Sequence, residues 1–298
     1  MKYIHERRWA IDGEVRIEWV RVRVPEPRGI LFVPPLIGGD YVQQVRLFRR
    51  LIRRGYDLVS FNYAGHGGST HKFSLEGTIR DTRLILDQAV RIGRRDGLAI
   101  YGIGACYPAI PLLYWAGNPE GVFQKIVLIN AILRLSPRPV VRSFLDYYGN
   151  LRRTRRRVPR LKEALRHYVD FIFPGVAKSR RGFGALKRRR TRLFKTLFDA
   201  FVLDPLKSIR LTRTPVLCLY STDDPILKIF DGMFGSTYEA EVRRISPMAR
   251  FRVLSSDHFL SHPRARTAVF EDLMRFFQPG FRPEHRFDFP VPPVPPGK

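Results

Sequence analysis

Cysteine is scarce: the 298 residues contain only Cys106 and Cys218. Neither sits at metal-ligand spacing, so no disulfide framework and no zinc site is expected. Long apolar runs are missing too. None approaches the roughly 20 residues that span a bilayer, and the opening stretch MKYIHERRWAIDGE has no apolar signal-peptide core. The sequence therefore reads as soluble and cytosolic. Acidic residues are the third shortage, 27 against 53 Lys and Arg, for a formal net charge of +26 that comes mostly from arginine. Two explanations stay open: a compositional bias toward arginine, or attraction to an acidic partner, nucleic acid or anionic membrane. No recognised nucleic-acid-binding module appears, so specific nucleic-acid binding is not expected.

What is present is an alternation of short apolar runs with amphipathic segments. EVRIEWVRVRV, Glu14 to Val24, alternates charged with apolar residues and predicts a half-buried antiparallel strand at a sheet edge. Gly29 to Val33 (GILFV) and Tyr56 to Tyr63 (YDLVSFNY) are continuous apolar runs of the buried-strand type. Between them, a loop at 34–40 leads into an amphipathic helix predicted over Tyr41 to Arg54, stopped by Gly55. A second helix is predicted over Thr78 to Arg91, and further buried strands at Lys125 to Ile132, Pro215 to Tyr220 and Phe251 to Leu254. The segment from Pro263 to Phe277 closes with a helix. Strands alternating with helices imply a mainly parallel sheet covered on both faces, an α/β class.

The alternation stops at about Pro137. Residues 137–207 form aromatic-rich helical stretches interleaved with RRTRRR at Arg152 to Arg157 and KRRR at Lys187 to Arg190. They read as a basic helical lid inserted into a core made of 1–136 and 208–278. Residues 279–298 are a proline-rich tail expected to be extended or disordered.

The chemistry concentrates at Leu98 to Ala116, LAIYGIGACYPAIPLLYWA, a strand, a glycine-studded turn and an apolar helix. This is the layout of a nucleophile elbow, in which G-x-S-x-G puts a serine on a tight turn. Here the matching letters are Gly102-Ile103-Gly104-Ala105-Cys106, with Gly104 in the serine position and Cys106 where helix packing asks for a small residue. A register two residues on gives Gly104-Ala105-Cys106-Tyr107-Pro108 and supplies a thiol nucleophile. Pro108 is bulky for that register and Gly102 would then interrupt the strand, so the Gly104 register is favoured and the Cys106 register stays as the alternative.

Four stretches in order give the sequence a family resemblance. The 34–40 loop, the turn Asn62-Tyr63-Ala64-Gly65-His66-Gly67-Gly68-Ser69, the elbow, and PVLCLYSTDDP followed by SSDHF resemble motifs of the α/β-hydrolase superfamily over most of Gly29 to Phe277. Asn62 and Ala64 depart from that family's usual Asp and Arg. The resemblance implies an α/β-hydrolase fold with an inserted lid, Asp224 as triad acid, with Asp223 as its neighbouring competitor, and His258 as triad base. It implies backbone oxyanion donors at Leu36 and Ala105, a turn organised by His66, and a structural Ser69. Cysteine elbows occur in the dienelactone hydrolases and polyhydroxyalkanoate synthases of this superfamily, and Pro34 to Ile37 resembles a loop of the latter. The expected activity is hydrolysis or transfer of an acyl ester or thioester by Cys106, His258 and Asp224, with no metal or organic cofactor. An acidic acyl carrier and weak contact with anionic membrane through the lid are the expected macromolecular partners. The alternative is an inactive relative that binds a lipid-like ligand or a protein.

Overall fold

Continuous apolar runs need cover on both faces, and that requirement sets the architecture. The computed structural model describes residues 3–118, 121–134, 137–154, 160–172, 195, 199, 203–230, 237–258 and 260–278. Eight strands form one sheet: β1 (Ile4–Asp12), β2 (Val15–Arg23), β3 (Ile30–Phe32), β4 (Asp57–Phe61), β5 (Ile100–Ala105), β6 (Lys125–Ile129), β7 (Val216–Ser221) and β8 (Arg250–Leu254). Their spatial order is β1-β2-β4-β3-β5-β6-β7-β8. The β1–β2 hairpin and the β2–β4 pair are antiparallel, and every other neighbour is parallel.

The period of two along each strand divides the core into two layers. Ile30, Phe32, Val59 and Phe61 face one layer, which α3 (Leu75–Asp96) and α4 (Ala109–Ala116) cover with Ile85, Leu86, Leu112 and Leu113. Leu31, Leu58, Ile103 and Val127 face the other, against Val45 of α1 (Tyr41–Leu47), Leu51 and Ile52 of α2 (Arg49–Ile52), and Leu273 near the C-terminus.

The sheet corrects the expected edge strand. β2 lies inside the sheet, and β1, unpredicted because charged residues dilute its few apolar ones, takes the edge. Nor is β2 half-buried: Glu18 and Arg21 are both under cover. Arg21 meets Asp57 at 2.6 Å and Asp96 at 2.8 Å, while Glu18 pairs with Arg7 at 2.5 Å. Charged letters at alternate positions mark a solvent face only when no buried partner awaits them. The helix expected over 41–54 is split at Phe48 into α1 and α2.

Between β6 and β7 the chain leaves the core as α5 (Pro137–Thr154) and α6 (Leu161–Ile172). After β7 come α7 (Pro225–Phe230) and α8 (Tyr238–Ile245), the latter unpredicted, and α9 (Pro263–Phe276) follows β8. The Lys187–Arg190 run, part of the Arg152–Arg157 run and the 279–298 tail lie outside the described residues. Among the described residues no helix is long and apolar enough to cross a membrane.

From β3 the chain steps to β4 on one side and then back to β5 on the other. Such a reversal opens a crevice beyond the carboxyl ends of the two strands, where open α/β sheets hold their ligands.

Candidate active site

The turn after β5 sits at that crevice, and its backbone dihedrals show where the strand ends. Cys106 has φ +57°, in the left-handed region that non-glycine residues seldom occupy. Its N–H donates to Ile129 O at 3.0 Å, and its carbonyl accepts from Ile132 N–H at 3.0 Å. Gly104 is inside β5, opposite Leu128. The expectation that Gly104 holds the turn position is therefore corrected: the strand runs on through both glycines and turns at Cys106. Packing explains the glycines instead. A Cβ on Gly104 would lie 2.8 Å from Ala109 Cα, and one on Gly102 would lie 3.1 Å from Leu112 Cδ1, so both let α4 lie close on the strand. Pro108 is no obstacle, because it stands at the helix start with φ −51°, where a fixed φ and a missing N–H are tolerated.

The acid and the histidine arrive on the loops after β7 and β8. Asp224 is fully buried and His258 is 7% exposed. His258 Nδ1 lies 2.6 Å from Asp224 Oδ2, and the imidazole also hydrogen-bonds the Cys106 side chain. The other Asp224 oxygen, Oδ1, accepts from Ile226 N–H at 2.8 Å and Leu227 N–H at 3.1 Å, so the start of α7 fixes the carboxylate. Asp223 points away: its side chain is 68% exposed, 4.0 Å from Lys228 Nζ. Burial disfavours the charged imidazole, yet the Cys106 sulfur and the Asp224 carboxylate outweigh it and raise His258 to about 10. Cys218, by contrast, is buried in β7 beside Tyr238, and burial pushes its thiol up to about 12. Of the two cysteines, Cys106 is the one beside His258.

Moving the turn also moves the candidate oxyanion donor. The N–H following the turn residue is that of Tyr107, and Ala105, the last residue of β5, precedes it. The ring of Tyr107 is anchored through its hydroxyl, 2.7 Å from Thr78 Oγ1 and 3.2 Å from Leu75 O, while its N–H makes no hydrogen bond among the described residues. Tyr107 was legible only as the residue after Cys106 in the less favoured register. Leu36 lies on the loop after β3. Its carbonyl accepts from Gly39 N–H at 2.9 Å, and its own N–H makes no bond among the described residues.

His66 reaches further than its own turn. Its Nε2 accepts from Gly38 N–H at 2.8 Å, and its Nδ1 faces Ala64 O at 3.1 Å, which makes Nδ1 the protonated nitrogen. The glycine-rich turn thus holds the 34–40 loop. Ser69 is structural, donating to Asn62 O at 2.6 Å and accepting from Glu18 N–H at 2.9 Å.

Aromatic rings of α5 and α6 cluster nearby. The Phe144 and Tyr147 rings stand 5.3 and 5.5 Å from that of Tyr168. They pack on Ile132, which is bonded to the Cys106 carbonyl, and on Ile226, which is bonded to Asp224.

No protein-family model matches the sequence, and no curated protein matches it. Solved structures do. A highly thermostable carboxyl esterase from Bacillus coagulans has a TM-score of 0.64 at 12% identity, over 93% of this chain and 98% of that one. A soluble variant of monoglyceride lipase from Saccharomyces cerevisiae gives 0.63 at 12% identity, over 93% and 96%. The thioesterase domain from the curacin biosynthetic pathway gives 0.54 at 17%, over 91% and 99%. With the strand order and the crevice beyond β3 and β5, these likenesses identify the fold of this chain as that of the α/β-hydrolases.

Proposed function

We propose that the chain is a cysteine-dependent hydrolase or acyltransferase acting on an ester or thioester with an apolar acyl chain. The observation that carries this reading is the Cys106 side chain, held at a left-handed turn, hydrogen-bonded to a histidine whose Nδ1 is 2.6 Å from a buried carboxylate. A serine is missing from the elbow, but the chemistry an elbow needs is not.

In the proposed mechanism Asp224 holds the Nδ1 proton, which leaves Nε2 of His258 to face the sulfur. Nε2 takes the Cys106 thiol proton as Sγ forms a bond to the acyl carbon, and the carbonyl π electrons move onto oxygen. The Tyr107 N–H and the Leu36 N–H face that oxyanion, and preorganised donors of this kind stabilise charge only as it develops. Collapse breaks the bond to the leaving oxygen or sulfur, which takes the Nε2 proton. Water, or an acceptor alcohol or thiol, then gives its proton to the neutral imidazole and attacks the acyl carbon, expelling Cys106 Sγ, which takes the proton back from Nε2. Asp224 orients and stabilises the imidazolium throughout without taking its proton.

Phe144, Tyr147, Ile132 and Ile226 give the acyl chain an apolar cover. The basic excess favours an acidic leaving group or carrier, such as a coenzyme A thioester or an acyl carrier protein. A cytosolic setting completes the reading, because it keeps the thiol reduced.

The test is hydrolysis of p-nitrophenyl esters and acyl thioesters of graded chain length by the parent protein, Cys106→Ala and His258→Ala. Activity should fall by about 10³-fold or more in each variant. Absence of turnover in the parent on every chain length would overturn the catalytic reading and leave the inactive, ligand-binding alternative.

A further inference from the structure

One buried side chain beside the site takes no part in the chemistry so far described. Asn130 follows the last residue of β6, is 1% exposed, and has φ +44°. Asparagine enters the left-handed region more readily than most residues, but a buried amide must find partners for both its ends. Asn130 finds them at the end of β7 and on the loop after β8. Its Oδ1 accepts from Ser221 N–H at 2.8 Å, at the end of β7. Its Nδ2 donates to the carbonyl of His258 at 2.8 Å and to Ser221 Oγ at 3.1 Å, with Asp257 O at 3.5 Å. The amide's orientation is fixed by chemistry, since a backbone N–H meets its oxygen and a carbonyl meets its nitrogen. The main chain adds a third tie, Asn130 N–H to Leu219 O at 2.9 Å.

The residues on either side of Asn130 hold the other half of the site. Ile129 O accepts the Cys106 N–H, and Ile132 N–H donates to the Cys106 carbonyl. A segment of four residues therefore grips the main chain of both Cys106 and His258, and Asn130 is the member that reaches the histidine.

We infer that Asn130 is a positioning residue of this site: by holding the His258 carbonyl it keeps the imidazole across the Cys106 thiol. The inference rests on the cysteine–histidine reading given above. Its rival is a purely structural role, in which Asn130 only staples β6 to β7 through Ser221.

Two substitutions separate these roles. Asn130→Gly keeps the left-handed backbone and removes every side-chain bond. Asn130→Asp keeps an acceptor for Ser221 N–H but has no donor for the His258 carbonyl. The measurement is the rate of Cys106 alkylation by iodoacetamide against pH in the full chain, read by mass spectrometry. Cys218, which is wholly buried, serves as the folding control in the same spectrum, because it stays unlabelled only while the protein is folded. In the parent, Cys106 should react at pH 6 in a His258-dependent way. Both Asn130 variants should lose about tenfold or more of that His258-dependent rate at pH 6, while Cys218 remains protected. If the parent shows the His258-dependent rate and either variant keeps the parent's pH profile, the positioning role is overturned and the catalytic reading stands. If parent and His258→Ala alkylate equally slowly at pH 6, there is no reactive pair to position, and both fall.

Discussion

The two histidines near the crevice are set in opposite directions, and each setting has a measurable sign. Burial lowers His66 to about 4, against a backbone contact to Ala64 that works the other way, and the neutral ring accepts the Gly38 N–H. Folding therefore disfavours its protonation. The stability it contributes is present above the unfolded value near 6.5 and is lost as pH falls through about 4, and that gap is worth about 3 kcal/mol. His66→Gln offers an acceptor and a donor without titrating. The parent should lose up to about 3 kcal/mol relative to this variant between pH 7 and pH 4 in urea unfolding, and parallel pH profiles would refute the account. His258 carries the reverse sign: raised to about 10, its contribution is complete below about 6.5 and lost as pH rises through about 10. Part of that elevation comes from Cys106, so Cys106→Ala should bring the His258 titration seen by NMR down from about 10 toward 6.5. An unchanged titration would mean that Asp224 alone holds the charge. At this scale the sequence was half legible. Asp224 and His258 stand on the loops where their motifs put them, whereas spacing cannot report a backbone dihedral, and the choice between Gly104 and Cys106 is a dihedral.

Elements were more legible than residues, because an apolar run must be buried wherever it lies. β3, β4, β6, β7, β8 and the closing helix stand within a few residues of their predicted spans. The misses in the sheet share one cause, tertiary partners that a local pattern does not display. β1 is held by the β2 ladder rather than by its own apolar content. The alternation in β2 conceals the buried partners of Arg21 and Glu18, which are Asp57 and Asn62. In β5 the two glycines look like turn residues and are packing residues. A methyl on Gly104 would press the α4 backbone at Ala109, which cannot rotate away, whereas one on Gly102 meets the ends of Leu112 and Phe123. Gly104→Ala should therefore destabilise by about 2 kcal/mol and shift the Cys106 turn, lowering activity as well. Gly102→Ala should cost less and leave the turn in place. Equal effects on thermal unfolding and turnover would show that the Ala109 contact does not control the elbow.

For the whole molecule, the fold class followed from the order of strands and loops, but the meaning of the charge did not follow from the same letters. The described part of the inserted helices adds placement to that charge. Arg138, Arg142, Arg152, Arg153 and Arg160 are exposed on or beside α5 and α6, the elements whose inner aromatics cover Ile132 and Ile226 at the site. Cations so placed raise the local concentration of an anionic substrate, and they do so through a field that salt screens over about 10 Å at 0.1 M. A compositional bias toward arginine makes no such distinction among substrates. The comparison is KM for an acyl-coenzyme A thioester and for a neutral p-nitrophenyl ester of the same acyl length, between 20 and 500 mM NaCl. Steering by these arginines predicts that KM for the thioester rises by about tenfold while KM for the ester stays flat, with kcat unchanged for both. A parallel change in both would locate the salt effect in the protein's own stability, since self-repulsion at +26 is screened as well. A flat response for both would remove charge from substrate choice and leave selection to the apolar cover of Phe144, Tyr147 and Ile226.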